Sequence, residues 1–286
     1  MTDNSNGTFN ALVVRETEEG NPKSASASIE QLTDADLPDY DAGDVVVQID
    51  YSSLNYKDGM ALTGKGRILR SYPMVPGIDF SGTVISSESP KFASGDEVIL
   101  TGWAVGERYW GGYSQRQKVK AGWLVRRPIG MSAMQAMGIG TAGLTAMMCV
   151  LGLENGGVKP TDGPIVVTGA AGGVGSVAVA VLTHLGYDVT AVTGRPEQHD
   201  YLRALGATNF LSREEMSEAP KPLEAENFAG AVDTVGSTML AKVIALVVRE
   251  TEEGNPKSAS ASIEQLTDAD LLSAAVTKTR DRKSVV

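Results

Sequence analysis

Residues 164–186 read PIVVTGAAGGVGSVAVAVLTHLG. An apolar run ending in small residues, followed at once by a second apolar run, predicts a buried strand (Ile165–Thr168), a tight turn and a helix (Ser176–Leu185). Glycines in the turn let a backbone approach a pyrophosphate, and the amides at the helix N-terminus attract its charge. Gly172, Gly173, Val174, Gly175 and Ser176 are therefore the candidate phosphate cradle. Ala170 stands where the usual fingerprint has its first glycine. A glycine-rich packing turn without a ligand is the competing reading.

The pattern continues on both sides. An apolar helix over about 133–153 precedes the turn. Strands follow at Asp188–Thr193, Asn209–Leu211 and Gly230–Val235, with a helix at Glu197–Leu205. Strands alternating with helices predict an α/β fold with a doubly wound parallel sheet. Four strands precede residue 245, two fewer than a full sheet of this kind has, so an incomplete Rossmann domain is expected over 133–244. The stretch Ser132–Leu153 carries no charge, but its glycines and Gln135 point to a buried turn and helix rather than a membrane span.

The end of the second strand selects the cofactor. An NAD site places an acidic residue there for the ribose hydroxyls, whereas this chain has Thr193, Gly194 and Arg195. A guanidinium beside two short residues suits a 2′-phosphate, so NADPH is the expected cofactor. Arg213, after the third strand, is a further candidate contact near the adenosine, with a plain surface arginine as the alternative.

Before residue 133 the chain reads as short strands between glycine and proline. Ala11–Arg15 and Ser28–Leu32 form the arms of a hairpin, and Asp44–Tyr51 alternates Val45, Val47 and Ile49 with polar partners. Gly82–Ile85, Asp96–Leu100 and Gln117–Lys120 follow, so a small β-barrel-like domain is expected over 1–132. Residues 11–37 recur letter for letter at 245–271. Repeat arrays recur in tandem and with drift. This second copy reads instead as a splice or assembly artefact, and 245–286 is expected to be the copy plus a disordered tail.

Composition sets outer limits. The formal net charge of -10 disfavours nucleic acid and anionic membrane as partners. The single cysteine, Cys149, allows neither an intrachain disulfide nor a multi-cysteine zinc site, and reads as a buried thiol. The N-terminus has no basic region followed by an apolar core, so a cytoplasmic location is expected.

Seven stretches together resemble one group: SSLNYKDGMALTGKGR, YPMVPGIDFSGTV, LTGW with WGGYSQ, GTAGLTAM, VVTGAAGGVGS, VTGRPE and DTVG. The chain resembles the acryloyl-CoA reductase (NADPH) and quinone oxidoreductase branch of the medium-chain dehydrogenase/reductase superfamily. The resemblance runs from about residue 9 to 244 and implies a GroES-like β-barrel domain before the Rossmann domain. Zinc-dependent relatives carry a His-Glu pair where this chain has Ile78 and Asp79, and the only histidines are His184 and His199. No metal is expected.

The resemblance implies hydride transfer from NADPH to the β-carbon of an enoyl thioester such as acryloyl-CoA. Asn55 and Tyr56 become candidate catalytic residues, with Tyr56 also a cofactor contact or, alternatively, a half-buried packing tyrosine. Thr141 matches the position that meets the nicotinamide, or serves as a helix N-cap. Lys57 and Asp58 read as an adjacent ion pair. Lys65, Arg67 and Arg70, with Lys57, are a candidate landing patch for the phosphates of a CoA thioester. A reductase of small quinones or alkenals is the alternative on the same scaffold, and a truncated chimera that only binds nucleotide is the third reading. Relatives continue past residue 245 with two more strands and are homodimers, so an incomplete nicotinamide seat and a weakened dimer are expected here.

Overall fold

The computed structural model describes residues 7–18, 24–39, 44–64, 66–221 and 225–247, and the backbone of 274–276. The chain divides into two compact units, Met1–Thr141 and Ala142–Val286.

The first unit opens with an antiparallel hairpin, β1 (Thr8–Arg15) and β2 (Ser26–Thr33), in unbroken register from Thr8↔Thr33 to Arg15↔Ser26. Phe9, Ala11 and Val13 point into one small core with Leu32, Leu37 and Val75. Then come β3 (Asp44–Tyr51), α1 (Tyr56–Thr63), β4 (Asp79–Ser87), β5 (Glu97–Thr101), β6 (Arg116–Lys120) and β7 (Val125–Arg126). The strands form an antiparallel sheet in the order β6-β3-β4-β5-β7. The alternation read in β3 has its reason here. Val45 and Val47 are fully buried beside Phe80, Val84, Val98 and Leu100. Each such side chain contributes about 1.5–3 kcal/mol when taken out of water. The β3–β4 register shifts between Val46 and Val47 and again between Ile49 and Tyr51. Gly82 sits at that irregularity, where any side chain would run into the carbonyl of Gln48.

α1 takes in Lys57, the first of the basic residues read as a landing patch. Asn55 stands at its N-cap in extended backbone, Asp58 at the third position bonds back to Asn55, and Gly64 ends the helix at φ 63°. Lys57 thus lies in the first turn of α1, whereas Arg67 and Arg70 follow the helix.

α2 (Ala133–Asn155) is interrupted at Gly140 (φ 51°, ψ -161°). Its length and composition would suffice to cross a membrane. In the second unit its residues Ala146, Cys149, Val150 and Leu153 are core residues.

The second unit continues with β8 (Ile165–Val167), α3 (Gly173–His184), β9 (Val189–Thr193), α4 (His199–Ala204), β10 (Asn209–Ser212), β11 (Gly230–Asp233), α5 (Ser237–Leu246) and β12 (Ala274–Val276). The sheet order is β10-β9-β8-β11-β12. The first four strands are parallel, and β12 pairs antiparallel to β11. The chain is thus α/β, a GroES-like barrel domain followed by a doubly wound sheet. β8 shows why its residues read as one apolar run: Ile165 and Val167 face the core built on α2 and α3, while Val166 faces Met239, Val243 and Leu246 of α5.

α3 begins three residues earlier than the sequence pattern suggested. Gly173 and Gly175 take helical backbone and become part of its first turn. The duplicated letters adopt two structures. Ala11, Leu12 and Val13 are strand in β1, whereas Ala245 and Leu246 close α5 and Val247 bridges to Phe228. The rest of the second copy lies outside the described residues. So does the tail, apart from β12.

Candidate active site

In the second unit the strand order reverses between β8 and β11, which places a crevice at their carboxyl ends. Two features converge there. The first is the glycine turn. Gly169 has φ 57°, and a side chain on it would strike the hydroxyl of Thr234. Gly172 N–H donates to the Gly169 carbonyl at 2.8 Å and Ser176 N–H to the Gly172 carbonyl at 2.9 Å. Gly175 packs so closely on the turn that a Cβ would lie 2.7 Å from the Ala170 Cα. Ala170 is itself fully buried, so a methyl group is accommodated where the fingerprint has glycine. The amides of Gly173, Val174 and Gly175 occupy the first turn of α3 and have no intrahelical acceptor, and the N-cap residue, Gly172, has no side chain to cap them. Gly172 and Gly173 are exposed, and Val174 and Ser176 half-buried. Such a helix end holds an anion.

The second feature is the end of β9. Thr193 is buried and its hydroxyl accepts the Arg195 amide at 3.2 Å. Arg195 is exposed. Arg213 lies against Gly194, where a Cβ would come within 3.2 Å of the arginine's own Cβ. Arg213 is exposed as well. Thr193, Gly194, Arg195 and Arg213 are therefore one cluster, with two guanidinium groups and no carboxylate on the strand end.

Behind the glycine turn lies a lock that sequence reading passed over. The buried Asp233 accepts the Thr168 hydroxyl, and its other oxygen accepts the Gly236 amide at 2.8 Å. The Thr234 amide donates to the Thr168 hydroxyl and the Thr234 hydroxyl to the Thr168 carbonyl, both at 2.9 Å. These bonds tie the end of β8 to the end of β11. The signal was present in DTVG, an acid at a strand end followed by a glycine.

In the first unit the site residues gather around Asp79, which is fully buried. One carboxylate oxygen accepts the Ser53 amide at 2.9 Å. The other accepts the Ser53 hydroxyl at 2.6 Å, the Thr141 amide at 2.8 Å and the Thr141 hydroxyl at 2.7 Å. The Ser53 hydroxyl in turn accepts the Asn55 side-chain amide at 2.9 Å. Thr141 follows the Gly140 break in α2, so Asp79 supplies the acceptor that the next helical turn lacks.

Asp58 is buried too, 1% exposed, and accepts the Asn55 amide at 3.0 Å and the Asn55 side chain at 3.2 Å. Burial pushes its carboxyl above the ordinary aspartate range, opposed by those bonds and aided by the charge of Asp79. Among the described residues its second oxygen has no hydrogen-bond partner by geometry, while the nearby Tyr113 hydroxyl also favours the charged form. The Tyr113 hydroxyl donates to the Ser53 carbonyl at 3.2 Å. Burial raises that phenol as well, with Asp58 and Asp79 adding to the shift.

Tyr56 differs from one of its two sequence readings. It is 85% exposed at the start of α1, so it is not a half-buried packing residue. Lys57 pairs with Glu107 at 2.5 Å rather than with Asp58, because Asp58 turns inward to cap α1. Arg67 and Arg70 are exposed, and the Arg70 amide donates to the Glu107 carbonyl at 2.9 Å. Lys65 lies outside the described residues. In the second unit His184 is exposed at the end of α3 and His199 stacks on Phe210 at 4.2 Å. Among the described residues no three His, Cys, Asp or Glu side chains come together in a way that could hold a metal ion.

Residues 41–150 match the alcohol dehydrogenase GroES-like domain. The chain is 57% identical over 219 residues to a protein of Escherichia coli (strain K12) named "Probable acrylyl-CoA reductase AcuI", covering 77% of this chain and 66% of that one. It is 54% identical over 237 residues to the acrylyl-CoA reductase AcuI of Ruegeria pomeroyi, covering 82% and 70%. The chain thus spans about two thirds of the length of these relatives. The crystal structure of Escherichia coli K-12 YhdH with bound NADPH superposes with a TM-score of 0.78 at 54% identity, covering 83% of this chain and 71% of that one.

Proposed function

Because the chain belongs to the acrylyl-CoA reductase branch of the medium-chain dehydrogenase/reductase superfamily, we propose that it reduces the carbon-carbon double bond of an enoyl-CoA thioester with NADPH. The observation that carries the reading is the pairing of a helix end without a side-chain cap, Gly173–Gly175, with the end of β9, which bears Arg195 and no acid and has Arg213 packed against its Gly194.

In this reading the α3 amides hold the pyrophosphate, and Arg195, Thr193 and Arg213 hold the 2′-phosphate. A carboxylate at Arg195 would repel that phosphate, so the guanidinium sets the preference over NADH. NADPH, when bound, supplies a hydride to the β-carbon of the thioester. Negative charge then develops on the thioester oxygen, where the Tyr56 hydroxyl is the donor that stabilises it; the Asn55 side-chain amide, engaged by Ser53 and Asp58, holds the turn that presents Tyr56. Tyr56 carries the proton destined for the α-carbon, and its exposure gives it direct exchange with solvent. The products are the saturated thioester and NADP+. Thr141 and Tyr56 serve as contacts for the nicotinamide end. Arg67 and Arg70, with Lys65, receive the CoA phosphates. Lys57 has a partner in Glu107 and takes a smaller part. The same reading makes the chain a cytoplasmic enzyme acting on a small molecule.

Fluorescence titration with NADPH and NADH tests the cofactor assignment first. NADPH is expected to bind with saturation and NADH weakly. Arg195→Glu should weaken NADPH by about 10–100-fold, the range for losing hydrogen bonds to a charged group, and leave NADH unchanged. Equal affinity for both dinucleotides in the unaltered chain would overturn it. Turnover of acryloyl-CoA against a small enone or quinone tests the substrate. Arg67→Glu with Arg70→Glu should raise KM for the CoA ester and spare the small enone. Equal losses on both would remove the phosphate patch, and activity on the quinone alone would replace the thioester reading.

A further inference from the structure

We propose that Asp79 is a positioning residue of the reducing site, one that fixes Thr141 and the Ser53–Tyr56 turn through the buried bonds its carboxylate makes; this rests on the reductase reading above. The case starts from cost. A buried ionised carboxylate is expensive unless its lone pairs are taken up. Asp79 is fully buried, and the donors on its two oxygens are Ser53 and Thr141. A core site with no task beyond packing is filled more cheaply by an apolar side chain.

The geometry also explains why the residue is an acid. The Ser53 amide donates to one oxygen and the Thr141 amide to the other. Backbone N–H groups cannot reverse their role, so both oxygens must accept. An asparagine has one acceptor and one donor, and whichever way it turns, its NH2 faces a backbone N–H. Hydroxyls could rotate to accommodate it, but these amides cannot.

What the carboxylate holds is the set of residues proposed to meet the reactants. The Ser53 hydroxyl passes the link to Asn55, the N-cap of α1, and Tyr56 is the next residue. Thr141 is held twice, immediately after the Gly140 break. Gly140 closes the arrangement sterically. A Cβ there would lie 2.9 Å from the Ser53 hydroxyl and 3.2 Å from the Asp79 carboxylate. The Ser52 hydroxyl also donates to the Asp79 carbonyl at 2.7 Å, so backbone and side chain of one residue hold the same turn.

The test is Asp79→Asn, with Ser53→Ala as the milder variant should the first fold poorly. Misplacing reacting groups by about 1 Å can cost on the order of 100-fold in rate. kcat with acryloyl-CoA is therefore expected to fall roughly 10–100-fold in Asp79→Asn, and less in Ser53→Ala. KM for NADPH should stay unchanged, and the isotope effect on kcat from NADPH deuterated at the transferred hydrogen should rise as the chemical step becomes limiting. A loss confined to KM for NADPH, or an unchanged kcat and isotope effect in folded protein, would overturn the proposal. If the unaltered chain reduces no enone, the reductase reading falls by itself. The positioning role is then read from amide hydrogen exchange at Ser53 and Thr141, whose N–H groups the carboxylate accepts. Faster exchange there in folded Asp79→Asn, with NADPH affinity unchanged, supports the role, and unaltered exchange overturns it.

Discussion

A carboxyl group removed from water favours its neutral form, and Asp58 is placed to show it. Its raised proton affinity means that the folded chain binds the proton more tightly than the unfolded chain does. The contribution to stability is therefore fullest below the ordinary aspartate value of about 4 and is lost as pH rises through the folded value. Asp58→Asn removes that dependence. Urea unfolding at several pH values should show the variant gaining on the parent from about pH 4 toward neutrality, and a gap that does not change with pH would mean that Asp58 is not perturbed. At this scale the sequence was readable where one residue type meets one chemical need. Cys149, read from its apolar stretch as a buried thiol and 3% exposed in the structure, is such a case. It was not readable where partners come from far along the chain. Asp79 and Thr141 are 62 positions apart, and no local pattern at either announces the other. Tyr56 was ambiguous for a related reason, since an aromatic at a helix start can turn inward or outward and only packing decides.

Glycine has opposite consequences in different elements. Gly59 lies within α1 with nothing near the place where a Cβ would stand, whereas Gly175 lies in the first turn of α3 against the backbone of Gly169 and Ala170. Gly59→Ala should stabilise the chain by about 0.4–1 kcal/mol by restricting the unfolded chain. Gly175→Ala should destabilise it by about 1–3 kcal/mol, the usual cost of overpacking, and should weaken NADPH binding because the turn must shift. Denaturant midpoints compare the two directly, and a neutral Gly175→Ala would show that the turn yields without cost. Elements were legible to the extent that burial follows a period. The alternation in β3 and the continuous apolar run of β8 each match the number of faces they bury. The start of α3 was missed because glycine carries no side-chain signal for helix. The letters ALV set the limit. They are strand at Ala11–Val13 beside the β2 arm, yet at Ala245–Val247 they end a helix against Phe228. What surrounds such a short segment outweighs its own preference.

At the scale of the whole molecule, the division into a strand-rich unit and an alternating unit follows from a change of pattern that any reader of the sequence can see. The antiparallel β12 on the edge of the second sheet does not follow from it, since three residues of modest β-propensity give no warning of where they will pair. Each unit has its own apolar cores, and Cys149 belongs to that of the second, 3% exposed among Ala146, Val150 and Leu153. Burial also pushes its thiol above the ordinary range, which keeps it unreactive while the unit is closed. The chain has no other cysteine. A thiol reagent therefore acts as a stopwatch for one unit: each modified molecule records one opening of the cofactor domain, and events in the first unit leave no mark. Where reclosing is faster than labelling, the labelling rate counts the open fraction. NADPH at 100 times its Kd should then slow modification by about 100-fold. A single sulfur atom thus turns cofactor affinity into a rate of colour development, readable without any substrate in hand.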